Sequence, residues 1–199
     1  FEYDYLVLNN GAMIVDQQDQ VLYRKQIKNE IAKEILNESM RKYPYLNYTF
    51  FDGKQTYGFI NEKTCKLTKE GYQEIEGDFL DILNNTIEDI DIVCAFHPEE
   101  KLDEIKEIQQ QINQKYTGIH ATLNVVYLDI TVDCTKGTGL QKLCSLFKED
   151  VTSYCIGDSF NDLDMFKKAN HAYTFNHVEK EIKEKTKNQV DYVYEVIDA

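Results

Sequence analysis

Nothing in the 199 residues approaches the roughly 18 consecutive apolar residues of a membrane span, so no transmembrane helix and no membrane partner are expected. The five cysteines (Cys65, Cys94, Cys134, Cys144, Cys155) are odd in number and include no CxxC pair. A disulfide framework or zinc site is therefore not expected, and free thiols in a reducing, cytoplasmic setting are. The four histidines show no metal-ligand spacing, and His97 before Pro98 reads as the start of a helix. Basic charge is scarce: 22 Lys and Arg stand against 35 Asp and Glu, a net charge of -13. That balance argues against a surface for the phosphate backbone of nucleic acid. Only two prolines, no internal repeat and no low-complexity tract interrupt the chain. It opens on Phe1 with a strand pattern already under way, as a mature N-terminus or a fragment would, so a missing targeting signal carries little weight.

What is present has the composition of an ordinary globular protein, 42% hydrophobic and 29% charged, long enough for one domain or two small ones. "YLVLNNGAMIVD" reads as strand, Asn-Gly turn and strand. A helix over 28–42 follows, with Ile27, Ile31, Ile35 and Leu36 on one stripe. "LNYTFF" and "TYGFIN", separated by Asp52 and Gly53, predict a hairpin. A helix is expected over 74–85 despite Gly77, a strand over 89–96, and a helix over 98–116 with Pro98 in its first turn. Residues 119–130 read as one strand. Beyond Thr131, helix 137–149, strand 152–158, helix 161–169, strand 171–175, helix 177–188 and strand 190–197 alternate over short connections. That alternation predicts a parallel sheet covered by helices. The expected organisation is an α/β core from segments 1–26 and 130–199, with an α+β domain, 27–129, inserted.

Two stretches carry candidate chemistry. In "YCIGDSFNDLDMF" a short apolar strand ends at Gly157 and releases Asp158, Asp162 and Asp164 within seven residues. Ligands of open parallel sheets bind beyond the carboxyl ends of the strands. Asp158 at that rim and Asp162 in the next helical turn suit a hard cation such as magnesium, which takes one or two protein carboxylates. Equally, they could simply cap a helix; Asp164 is expected to be a solvated helix residue. In "DCTKGTGL", Lys136 precedes a helix whose glycines expose backbone amides, an arrangement that suits a phosphate, although a lysine in a turn reads the same way. Taken together, a lysine at one strand–helix junction and Gly-Asp-x-x-Asn-Asp at the next place cation and metal on one rim, the electrostatic core of phosphoryl transfer.

This order, "TKGTGL" then "IGDSFNDLDMF", resembles the third and fourth motifs of the haloacid dehalogenase-like (HAD) hydrolases, and more narrowly their Cof-type sugar-phosphatase branch. The likeness extends over essentially the whole chain and includes Asn10, Gly11 and Ala12, although Asn-Gly alone is an ordinary hairpin signal. It implies a Rossmann-like core with an inserted α+β cap and magnesium-dependent hydrolysis of small phosphorylated metabolites. Asp158 would bind magnesium, Asp162 would bind or orient it, and Lys136 would hold the phosphoryl group. Asn161, with Asn10 and Gly11, would support the loop or the substrate. Asn176 falls where the family often has Gly-Asn-Ala, but its neighbours here are Phe175 and His177. The family's nucleophile, in an Asp-x-Asp-Gly-Thr motif, has no counterpart, and neither Asp4 nor Asp52 fits its context. Without it no aspartyl-phosphate forms, so 1–199 is expected to be an inactive segment of a longer hydrolase. A related phosphomutase and a noncatalytic ligand- or partner-binding relative are the alternatives. A response-regulator receiver is disfavoured because its lysine follows its aspartates.

Overall fold

The computed structural model describes residues 3–196. The chain divides into two compact units, Phe1–Arg24 with Cys134–Ala199, and Lys25–Asp133. In the first segment, β1 (Tyr5–Leu8), β2 (Met13–Asp16) and β3 (Val21–Arg24) form an antiparallel sheet with β2 at its centre. The Asn-Gly connection is a single 3-10 turn, Asn9–Gly11, in which all three residues have positive φ. Asparagine tolerates that region better than other side chains do. Gly11, at φ +97°, has no alternative: a Cβ there would collide with the Thr135 carbonyl oxygen.

The second unit runs α1 (Asn29–Lys42), β4 (Asn47–Phe51), β5 (Thr56–Ile60), β6 (Lys63–Thr68), β7 (Gly71–Glu74), α2 (Phe79–Asn85), β8 (Ile92–Phe96), α3 (Asp103–Lys115), β9 (Ile119–Asn124) and β10 (Tyr127–Val132). Its strands form one antiparallel sheet in the order β7-β6-β5-β4-β8-β10-β9. Strand alternation aligns Tyr48, Phe50, Val93, Ala95, Leu128 and Ile130 on one face. Ile35 and Leu36 of α1, Phe79 and Leu83 of α2, and Ile105 and Ile108 of α3 pack against it in a single core. Each such fully buried side chain contributes about 1.5–3 kcal/mol by leaving water.

Three sequence expectations change here. The helix expected over 74–85 begins only at Phe79: Gly77 has φ +108°, and Asp78 caps the helix by accepting from the Leu80 and Asp81 amides. The residues up to Glu74 instead pair with β6. The helix expected from Pro98 begins at Asp103, after Glu100 breaks it at φ +57°. The single strand expected over 119–130 is a hairpin, β9 and β10, that turns at Val125 and Val126 with Asn124 opposite Tyr127.

The first unit resumes with α4 (Lys136–Cys144), β11 (Tyr154–Gly157), α5 (Leu163–Lys168), β12 (His171–Phe175), α6 (Lys180–Lys183) and β13 (Asn188–Val190). The order β11-β12-β13 is parallel throughout, with Gly157 beside Thr174 and Phe175 beside Val190. The three N-terminal strands form a separate antiparallel sheet, and α4 packs on β1 and on α5. The helix expected over 137–149 stops at Cys144. That expected over 177–188 shrinks to one turn, because Ile182 is its one buried residue and a short polar helix has no stability of its own. The expected strand 190–197 is represented by β13 and a 3-10 turn, Val193–Val196, with Tyr192 and Tyr194 exposed; Ile197 lies outside the described residues. Among the described residues no helix is long and apolar enough to cross a membrane.

Candidate active site

The site starts at the carboxyl end of β11. There the Thr174 hydroxyl, fully buried, donates to the Gly157 carbonyl at 2.8 Å and pins the strand end to β12. The chain then turns through Asp158 and Ser159 into a 3-10 segment, Phe160–Asp162, that leads into α5. Asp162 folds back against the strand: a Cβ on Gly157 would lie 2.5 Å from its Cβ and Cγ, so the strand must end in glycine. One carboxylate oxygen of Asp162, Oδ2, accepts the amides of Asp158 at 3.0 Å and Ser159 at 3.1 Å. The other, Oδ1, accepts Lys136 Nζ at 2.6 Å. This carboxylate is 4% exposed, whereas the Lys136 side chain is 36% exposed and retains a solvent-facing surface.

Lys136 owes its place to a capped helix start. Thr135 is the N-cap of α4; its hydroxyl accepts the Thr138 amide, and the Thr138 hydroxyl accepts the Thr135 amide. Such reciprocal caps satisfy two of the orphan donors at a helix start. From this first turn Lys136 also donates to Asn161 Oδ1 at 3.1 Å, and the Ser159 hydroxyl bonds the same oxygen. Lys136, Asn161 and Asp162, separated by 25 and 26 positions in sequence, thus form one cluster. Asp158 adjoins it through the backbone. Its side chain is exposed, and its carboxylate makes no hydrogen bond or ion pair among the described residues.

Asn10 and Gly11 lie against the N-cap of the same helix, whereas Asn176 and Asp164 have other partners. The turn containing Asn10 and Gly11 packs on the first turn of α4, where a Cβ on Gly139 would lie 2.6 Å from the Gly11 Cα. Asn176 follows β12 and donates to Asp191 at 2.8 Å; among the described residues no hydrogen bond joins it to Lys136, Asn161 or Asp162. Asp164, expected to be solvated, is half-buried and accepts from the Thr135 hydroxyl and from Lys168 at 2.8 Å. Burial opposes its charge, but the bonds from Lys168 and Thr135 prevail and hold its carboxyl below the ordinary range.

Residues 1–197 match the family model described as haloacid dehalogenase-like hydrolase. The chain belongs to this family. Several other proteins are similar to it in sequence or in fold. A protein of Mycoplasma capricolum is 26% identical over 208 residues, which span 97% of this chain and 75% of its own. The crystal structure of a Streptococcus mutans protein shares 22% identity and a TM-score of 0.71, with 98% of this chain and 75% of that one covered. A haloacid dehalogenase-like hydrolase from B. subtilis superposes at a TM-score of 0.75 with 15% identity, covering 93% and 73%. A sugar phosphatase of HAD subclass IIB matches at 0.70 with 17% identity, covering 94% and 70%. The chain thus has the HAD fold, an α/β core interrupted in sequence by an α+β unit.

Several residues of this candidate site are not marked out by residue type and spacing. Ser159 caps the segment carrying Asp162, and Ser-x-x-Asp before an apolar run is the signal that announces such a cap. Thr174 and the Thr135–Asp164 contact join positions 17 and 29 residues apart. No local pattern encodes either pairing.

Proposed function

We propose that the protein is a magnesium-dependent phosphatase of small phosphorylated metabolites, phosphosugars foremost, that works through an aspartyl-phosphate. The observation carrying this reading is the Lys136 ammonium, 2.6 Å from Asp162 and 3.1 Å from Asn161, beside the unengaged carboxylate of Asp158 at the end of β11. The donor set fits magnesium. Among the described residues no three His, Cys, Asp or Glu side chains gather around one point, and magnesium characteristically keeps several waters and takes only one or two carboxylates. Asp158 is the ligand in this reading. Asp162, its oxygens taken by Lys136 and two amides, acts as the residue that orients Asp158. When bound, magnesium adds positive charge against the phosphoryl oxygens.

The chain's own residues do the rest. Lys136 is partly solvent-facing and held by a buried carboxylate, so it meets an incoming phosphoryl group without reorganisation, the condition under which a fixed charge contributes most. Asn161 gives the lysine a second acceptor. The nucleophile in this reading lies outside 1–199, because no Asp-x-Asp-Gly-Thr occurs within it; residues 1–199 alone do not turn over. The preference for sugars draws on the subclass IIB sugar phosphatase of matching fold. Lys25–Asp133 acts as the cap that selects among substrates. A phosphomutase differs only in passing the phosphoryl group to a second substrate and not to water.

The test is hydrolysis of p-nitrophenyl phosphate and a phosphosugar panel by the full-length protein, with and without magnesium. Asp158→Asn should abolish the magnesium-dependent rate and Lys136→Ala should reduce it severely. Undiminished turnover by either variant would overturn the role given to that residue.

A further inference from the structure

Asp164 lies two residues beyond Asp162 yet serves a different set of partners. Its Oδ2 accepts the Thr135 hydroxyl and Lys168 Nζ. The Lys168 contact is an ordinary i,i+4 helix pair. The Thr135 contact is not, since it reaches 29 positions along the chain to the N-cap of another helix. A hydroxyl has one hydrogen to give. Once Thr135 gives it to Asp164, its lone pairs are left for the Thr138 amide, which it accepts at 3.1 Å. Asp164 also sets the residue after the lysine. A Cβ on Gly137 would fall 2.5 Å from both the backbone oxygen and Oδ2 of Asp164, so the first turn of α4 rests directly on this residue. Lys136 lies between these two anchored neighbours, and its side chain reaches Asp162 and Asn161 from a root that Asp164 fixes on both sides.

We propose that Asp164 is a positioning residue for Lys136, acting through Thr135 and Gly137 and not through contact with substrate. Its kinetic consequence rests on the phosphatase reading; its structural consequence does not. Two arms on the full-length protein separate them.

In the kinetic arm, Asp164→Ala and Thr135→Val should lower kcat about 10- to 100-fold with KM within about threefold, the pattern of a displaced transition-state contact. Thr135→Ser, which restores the hydroxyl, should recover most of the loss. In a Lys136→Ala background, Asp164→Ala should add less than about twofold, because residues that act as a unit are not additive. Full additivity would overturn the proposal.

In the spectroscopic arm, the Lys136 side-chain Cε resonance, assigned by its loss in Lys136→Ala, should move in Thr135→Val and in Asp164→Asn and return in Thr135→Ser. An unmoved resonance in both variants would also overturn the proposal. A moved resonance in a protein that hydrolyses none of the phosphate esters would sustain it and overturn the phosphatase reading. Should Asp164→Ala fail to fold, Thr135→Val and Asp164→Asn carry both arms.

Discussion

Replacing Asp162 by alanine tests whether its carboxylate holds the β11 loop together. The substitution strips the acceptor from the Asp158 and Ser159 amides and the counter-charge from Lys136. A buried donor left without a partner costs about 1–3 kcal/mol. Asp158 is exposed and Ser159 only half-buried, so water reaches these amides and the low end applies, about 1 kcal/mol each. The ion pair counts for less than its short distance implies: Lys136 is 36% exposed, and pairs with a solvated partner contribute about 0–1 kcal/mol. The expected loss is therefore about 2–3 kcal/mol. Asp162→Asn offers a sharper comparison. Its carbonyl still accepts the two amides, but its NH2 faces the lysine, so about 1 kcal/mol should be lost. Urea unfolding followed by far-ultraviolet circular dichroism reads both, as a lower midpoint for the first unit at unchanged slope. If Asp162→Ala matches the wild type within about 0.5 kcal/mol, the size of an ordinary surface substitution, the loop stands without this carboxylate and the reasoning fails.

Other consequences can be read from single measurements. Val125 is 71% exposed and turns the β9–β10 hairpin at φ +56°, a conformation that costs a β-branched residue about 1–2 kcal/mol. Val125→Gly should therefore raise the melting temperature, and a lowered one would contradict the strain argument. In the second unit α1 and α3 clamp each other reciprocally: Lys42 and Tyr43 bind Glu107, while Lys115 binds Glu34 and Glu38. The bonds from Lys115 and Tyr116 hold the Glu34 carboxyl, and those from Lys42 and Tyr43 the Glu107 carboxyl, below their ordinary value of 4.5. A carboxyl depressed on folding stabilises above its unfolded pKa, and that stability is lost as pH falls through the folded value. The unfolding midpoint of this unit should hold down to pH 4.5 and fall below it; a Glu34→Gln, Glu107→Gln double variant should flatten that fall.

Legibility in the sequence followed the range of the forces involved. The stripe of α1 and strand β12 were readable because periodicity is local: 171–175 was expected as a strand and is one. The Asp52–Gly53 hairpin was readable because its turn carries turn residues; Phe51 pairs with Thr56 across it. The second hairpin was not, since two valines stand at its turn and nothing in "IHATLNVVYLDI" marks a break. Helix starts failed where one backbone angle decides them, at Gly77 and Glu100. At the site, Lys136 and Asp162 were singled out by residue type and spacing, and the structure brings them into contact. Asp164 reads as a solvated helix residue because its partner is distant in sequence. On a helical wheel it faces outward, and only the approach of α4 makes that side an interior.

The half-burial of Asp164 bears on why three carboxylates crowd so closely. Neighbouring negative charges at this spacing disfavour one another's ionisation unless each is separately compensated. The compensation is divided without overlap. Asp162, deepest, takes the backbone amides at the end of β11 and the lysine of α4. Asp164 takes Thr135 and Lys168. Asp158 takes none and lies in water, where its charge is solvated at little cost. Two acids are thereby consumed in building the platform and one remains available. Of the three, Asp158 is the residue that can be removed at the least expense to the fold, so Asp158→Asn should leave the urea midpoint within about 0.5 kcal/mol of wild type. A folding loss as large as that of Asp162→Ala would show that this division of labour is wrong.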